Sequence, residues 1–343
     1  MAVEHISWPS RAGGSESSQH VLIVFVPGNP GLIGYYVPFL SALRDLLDAS
    51  TSASASASPD PITFHIHGQN LAGFADEDHE PFTAQRKPYD LAHQVQHLTK
   101  TVSALRIESG ARQGQSYDRV VLIGHSVGAY IALETCHRLL RDSALAPPEL
   151  RLASGILLFP TIERIAESPS GWKLNLLRRV PLLPDHAHSI AQGFLRLWPY
   201  DALHWFVSRA LGFPPHAADV TTRWLKSRDG VWQALHLGID ELRVIGEDKW
   251  DAELWGIEKD TTKSHSQAPR FYFFFGQHDH WVLNRHRDAF IRRRSAQAER
   301  TRLVVDEGKL PHAFCIDHSV PVAEKVHAWI TELFNTATHR NTR

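Results

Sequence analysis

The sequence predicts an α/β fold, a mostly parallel central sheet flanked by helices on both faces. Three observations predict it. Apolar, β-branched runs recur along the chain, stretches with helical apolar spacing stand between them, and a glycine-rich turn joins one such run directly to a helix. The size agrees: 343 residues, 43% hydrophobic and 21% charged, describe a globular chain able to bury a large core.

The first run, Val21-Leu22-Ile23-Val24-Phe25-Val26, reads as a buried strand and stops at Pro27-Gly28-Asn29-Pro30-Gly31, a loop at a strand end. Residues 35–47 then carry Val37, Leu40, Leu43, Leu46 and Leu47 at helical spacing. The tract 49–59, ASTSASASASP, is of low complexity and is expected to be a disordered surface loop. Residues 61–66 form the next strand, and 91–107 an amphipathic helix with Leu91, Val95, Leu98, Val102 and Leu105 on one face. Arg119-Val120-Val121-Leu122-Ile123 is strand-like, runs straight into Gly124-His125-Ser126-Val127-Gly128, and precedes a helix over 129–140. Strands are expected at 154–159, 270–275 and 302–305, with a closing helix over 320–334.

Residues 160–268 break the alternation and hold seven of the ten tryptophans: Trp172, Trp198, Trp205, Trp224, Trp232, Trp250 and Trp255. This segment is expected to be a helical cap inserted into a core of residues 20–159 and 269–337. One helical piece, 190–211, is interrupted at Pro199 and brings Phe194, Trp198, Trp205 and Phe206 close together. Two readings stand for these aromatic side chains: they pack the cap against the sheet, or some line an acyl pocket or rest on a lipid surface.

Lys plus Arg is 36 and Asp plus Glu 37, so a net charge of −1 offers no field to hold a polyanion, and nucleic acid is not an expected partner. Cys136 and Cys315 build no disulfide framework, which fits a reducing, cytoplasmic setting. Residues 1–19 lack the basic start and apolar run of a secretory signal. No stretch approaches the roughly 18 consecutive apolar residues of a membrane span. Peripheral membrane contact stays open, and no obligate protein partner is evident.

Gly124-His125-Ser126-Val127-Gly128 matches G-x-S-x-G, in which the glycines permit a tight strand-to-helix turn that exposes the serine hydroxyl. A serine hydroxyl needs a base to take its proton and an acid to orient that base. Asp279 follows the late strand 270–275, and His312 lies in the loop after 302–305, in the chain order serine, acid, histidine. Asp306 and His318 are the alternative acid and base. The pairs His278 with His280, His65 with His67 and His186 with His188 have H-x-H spacing but lack a third ligand at a recognised spacing, so no metal site is expected. The oxyanion of acyl transfer needs backbone donors, expected at Val127 after the nucleophile and at Asn29, since Pro30 has no N–H. No cofactor is required.

At these residues the chain resembles the lipid-droplet-associated hydrolase family of serine α/β-hydrolases. The resemblance rests on Val26-Pro27-Gly28-Asn29-Pro30-Gly31 with Tyr35-Tyr36, on Gly124 to Tyr130, and on Phe159-Pro160-Thr161-Ile162-Glu163-Arg164-Ile165-Ala166 with Ser168-Pro169-Ser170-Gly171. Gly276 to Val282 and Pro311-His312-Ala313-Phe314 extend it over nearly the whole chain. It implies an α/β-hydrolase fold with a helical cap and a Ser126-Asp279-His312 triad. It also implies cleavage of ester bonds in lipids of the sterol ester or acylglycerol type, and association with a lipid-droplet or endoplasmic reticulum surface. The long Ala/Ser tract, and His280 where a small residue or proline is usual, depart from the family pattern. Thioesterase chemistry on the same triad, and a catalytically weak droplet protein acting through its surface, are the alternatives.

Overall fold

The structure, a computed structural model, describes residues 3–11, 17–54, 61–142, 144–145, 150–178, 192–250, 254–255, 269–295 and 300–338. Among them are seven strands: β1 (His5–Trp8), β2 (Gln19–Val26), β3 (Ile62–Gln69), β4 (Arg119–His125), β5 (Leu152–Leu158), β6 (Arg270–Phe275) and β7 (Thr301–Val305). They form one sheet in the order β1-β3-β2-β4-β5-β6-β7. All neighbours from β3 to β7 are parallel, and β1 alone runs antiparallel, on the edge beside β3. The apolar runs are explained by this placement: Val21 to Val26, Val120 to Ile123 and Phe271 to Phe275 are all buried, as strands covered on both faces must be.

The helices are α1 (Val37–Ser54), α2 (Leu91–Ala104), α3 (Val127–Arg141), α4 (Pro169–Arg178), α5 (192–197), α6 (Tyr200–Trp205), α7 (Pro215–Lys226), α8 (Gly230–Val244), α9 (Asn284–Ser295) and α10 (Ser319–Thr338). Asp90 caps α2, its carboxylate accepting from the N–H of His93 at 2.8 Å. α1 packs on α10, and α2 on α3. No helix among the described residues is long and apolar enough to cross a membrane.

Two expectations need correction, and two elements are added. The Ala/Ser tract is not a loop throughout: α1 runs on to Ser54, and only 55–59 lie outside the described residues. Alanine favours helix, the hydroxyls of Thr51 and Ser52 bond the carbonyls of Leu47 and Asp48, and Ser50 reaches His327 on α10 at 2.7 Å. The helix expected from residue 35 opens with a 3₁₀ turn, Ile33–Tyr36, before α1. β1 and α9 are additional elements. β1 has a single fully buried side chain, Ile6, and α9, rich in arginine, buries only Phe290 and Arg294.

Between β5 and β6 lie α4 to α8, with a single π-helical turn, Phe206–Ala210, after α6. Trp250 and Trp255 join the main core beside Tyr130, Phe271 and Phe290. Trp172 and Trp205 are instead 62% and 63% exposed, and Leu197 81%. The packing reading therefore holds for Trp250 and Trp255, whereas Trp172 and Trp205 stand outside the core. The break expected at Pro199 separates α5 from α6.

Candidate active site

β4 ends at His125 and α3 begins at Val127, leaving Ser126 as the whole of the turn. Its backbone sits at φ 54°, ψ −124°, a conformation costly for a residue with a side chain and found where the surroundings enforce it. The enforcement is visible. A Cβ on Gly124 would lie 2.2 Å from the carbonyl oxygen of Gly128, and one on Gly128 2.2 Å from that of Val26. Both glycines are therefore required by contact with backbone. The Ser126 N–H donates to the Leu158 carbonyl at 3.0 Å, which fastens the turn to the end of β5.

His312 and Asp279 come from the loops after β7 and β6. His312 Nε2 lies 2.9 Å from Ser126 Oγ, and His312 Nδ1 lies 2.7 Å from Asp279 Oδ2. A carboxylate accepts only, so Nδ1 carries the hydrogen and Nε2 is left to accept from the serine hydroxyl. The other oxygen, Asp279 Oδ1, accepts from the N–H of Trp281 at 2.8 Å. Burial would raise the Asp279 carboxyl, but the hydrogen bond and charge of His312, the Trp281 N–H and His280 together hold it below the ordinary carboxylate value.

The alternative partners have other work. Asp306 spends its oxygens on the N–H groups of Gly308 and Leu310 and so shapes the loop that carries His312. His318 stands just before α10 and does not line the cavity at Ser126. His278 and His280 flank Asp279 with exposed side chains, His65 bonds His20 at 2.9 Å, and His186 and His188 lie outside the described residues. The one group of three possible metal ligands among the described residues, Asp76, His79 and Asp229, is elsewhere. Arg228 bonds Asp229 there, and the N–H groups of Arg228 and Asp229 take up the Asp76 carboxylate.

Val127 occupies the first position of α3, where a backbone N–H has no acceptor within its own helix and the helix dipole favours negative charge. Asn29, in the loop after β2, lines the same cavity as Ser126. Its side chain is held by α8, Nδ2 donating to the Ala234 carbonyl and to Glu241 Oε1, both at 3.0 Å.

A hydrogen-bond chain runs beneath these groups. The Gly28 N–H donates to Tyr36 Oη at 3.0 Å, the Tyr36 hydroxyl donates to His125 Nδ1 at 2.7 Å, and His125 Nε2 donates to the His312 carbonyl at 2.8 Å. The His312 carbonyl requires a hydrogen on His125 Nε2, and with the ring neutral Nδ1 accepts from the Tyr36 hydroxyl. Burial, with the nearby His312, pushes His125 down to about 3. His125 was legible only as the variable position of the motif and Tyr36 only as part of the resemblance, while Glu241 carried no local pattern that marks a role.

Ser126, His312, Asn29 and Glu241 open on a cavity of about 390 Å³, walled largely by Ile165, Leu174, Phe213, Trp224 and Ile316. That size and mostly apolar lining suit a small hydrophobic ligand.

The family model described as lipid-droplet associated hydrolase matches residues 19–315. A lipid droplet-associated hydrolase of Rattus norvegicus is 28% identical, over 92% of this chain and 86% of its own length. That of Gallus gallus is 26% identical over 93% and 87%. Among solved structures, a carboxylesterase of Nitrososphaera gargenis superposes with a TM-score of 0.53 at 13% identity, covering 97% of this chain and 96% of its own. An enol-lactonase of Burkholderia xenovorans gives 0.51 at 16%, covering 96% of each. Such structural likeness shows the α/β-hydrolase fold.

Proposed function

Because the chain belongs to the lipid-droplet associated hydrolase family, we propose that it is a serine esterase acting on lipid esters, of the sterol ester or acylglycerol type. One observation carries the reading: a serine on a forced turn, in line with a histidine at 2.9 Å and a buried aspartate at 2.7 Å beyond it, at the mouth of an apolar cavity. In this reading His312 Nε2 takes the Ser126 proton as Oγ attacks the ester carbonyl carbon. The N–H groups of Val127 and Asn29 hold the oxyanion, each worth on the order of 3 kcal/mol. Collapse breaks the ester bond, and His312 returns the proton to the departing alcohol. Water then enters by the same route and frees the acid and Ser126.

Segment 160–268 serves as the cap. Its exposed Trp172, Phe194, Leu197 and Trp205 supply the contact with a lipid-droplet surface, where Phe194, Trp198 and Phe206 touch in series. The test is labelling by a fluorophosphonate probe, followed by hydrolysis of esters graded in chain length. Wild type is expected to label, and Ser126→Ala and His312→Ala to lose it. Labelling that survives Ser126→Ala refutes the assignment of the nucleophile.

A further inference from the structure

Glu241, on α8, is 5% exposed and lines the same cavity as Ser126 and Asn29. Its Oε1 accepts one Nδ2 hydrogen of Asn29, and the other goes to the Ala234 carbonyl on the same helix. A carbonyl accepts only, so Nδ2 must be the atom that faces α8. The Asn29 side chain is thereby clamped to α8. Gly238 lies against this clamp: a Cβ there would come within 3.4 Å of Asn29 Nδ2.

We propose that Glu241 works as a neutral carboxylic acid and a positioning residue: it clamps Asn29, and with it the oxyanion-binding loop, onto α8, and its ionisation weakens the site. The proposal rests on the esterase reading above. An ionised Glu241 would place a buried negative charge beside the loop that must bind a developing negative charge, so catalysis and the carboxylate oppose each other.

Burial raises this carboxyl to about 8, with Asp240 adding to the rise and the Asn29 hydrogen bond opposing it. Against α8 pack α2 with His93, His97 and Lys100, α4 with Lys173, α7 with His216, Asp219, Arg223 and Lys226, and the 3₁₀ turn Ile165–Glu167 with Glu167; the charged neighbour that bears most on Glu241 is Asp240. Burial lowers His125 and His280, and raises Tyr35, Tyr36 and Cys315, the last to about 12.

The experiment measures kcat and KM of the full chain for p-nitrophenyl octanoate from pH 6 to 10. Wild-type kcat is expected to fall above pH 8, approaching about tenfold per pH unit. Glu241→Gln retains an acceptor for Asn29 and cannot ionise, so its profile should lack that fall. Glu241→Leu should lower kcat about tenfold to a hundredfold at every pH, chiefly in kcat rather than KM. Infrared difference spectra of wild type against Glu241→Gln should show a protonated carboxyl band at pH 7 that fades above pH 8. An alkaline fall preserved in Glu241→Gln, or no such band, overturns the proposal. Wild type that neither cleaves the ester nor reacts with a fluorophosphonate overturns the esterase reading instead, while the infrared band still reports on Glu241 alone.

Discussion

Replacing Asp279 by asparagine tests the site with almost no change in shape. Asp279 Oδ1 accepts from the Trp281 N–H at 2.8 Å and Oδ2 from His312 at 2.7 Å. Asparagine has one acceptor, and the fixed N–H of Trp281 claims it. Its NH₂ therefore faces His312 Nδ1, which must accept, so the histidine hydrogen moves to Nε2 and points at Ser126 Oγ. The base then holds a proton where it should take one. For this change in serine proteases the loss is about 10⁴ in kcat, or about 5.5 kcal/mol of transition-state stabilisation. Hydrolysis of p-nitrophenyl octanoate and the rate of fluorophosphonate labelling should both fall by about that factor. Thermal midpoints of the two proteins show whether the fold is kept. Activity within tenfold of wild type would refute the reasoning, and Asp306→Asn would then become the variant to measure.

Gly128→Ala puts a methyl 2.2 Å from the Val26 carbonyl oxygen, backbone that cannot yield, so destabilisation at the upper end of about 1–3 kcal/mol is expected, read from the urea midpoint, with labelling lost. Acid should weaken the fold, because burial holds His65 and His67 near 4 and His125 near 3, whereas an unfolded histidine protonates at about 6.5. Below that value the unfolded chain binds protons that the folded chain refuses, so their contribution is complete above pH 6.5 and drains away as pH falls toward 4. The urea midpoint should drop from pH 7.5 to 5, and less in His67→Phe, which removes one of the three buried imidazoles. Trp205→Glu with Phe206→Glu should lower binding to reconstituted lipid droplets at least about tenfold, as each buried ring contributes about 1.5–3 kcal/mol. Turnover of a soluble ester serves as the control, and unchanged droplet binding would remove this face from consideration.

How far the sequence could be read follows from how local each cause is. β2, β4 and β6 are legible because strands covered on both faces must be apolar throughout, so Val21 to Val26 announce themselves without any partner. β1 does not, since His5–Trp8 borrows its stability from pairing with β3, and one buried isoleucine leaves no period to detect. α9 hides for a related reason: Arg292, Arg293 and Arg294 mask the small face that Phe290 packs. Ser126, Asp279 and His312 were nameable because turn chemistry and chain order constrain them locally. Glu241 was not, because it meets Asn29 across 212 residues, and nothing near either residue announces the other.

The position between the first glycine and the serine shows why such distant ties matter. Three loops must meet: the one after β2 with Gly28 and Asn29, the Ser126 turn, and the one carrying His312. Each is irregular backbone with few constraints of its own, and misplacement by about 1 Å can cost on the order of 10² in rate. His125 is neutral, buried and double-ended, and it joins all three: Tyr36 links one nitrogen to Gly28, the other holds His312 by its carbonyl, and the residue itself is the neighbour of Ser126. Asn29, one residue from Gly28, is held from the other side by α8. The loop proposed to bind the oxyanion is therefore fastened at adjacent residues by two different bodies, the sheet through Gly28 and the inserted helices through Asn29. A shift of α8 would release the second attachment and leave the first, so the segment between β5 and β6 bears directly on the geometry at Ser126 as well as lining the cavity.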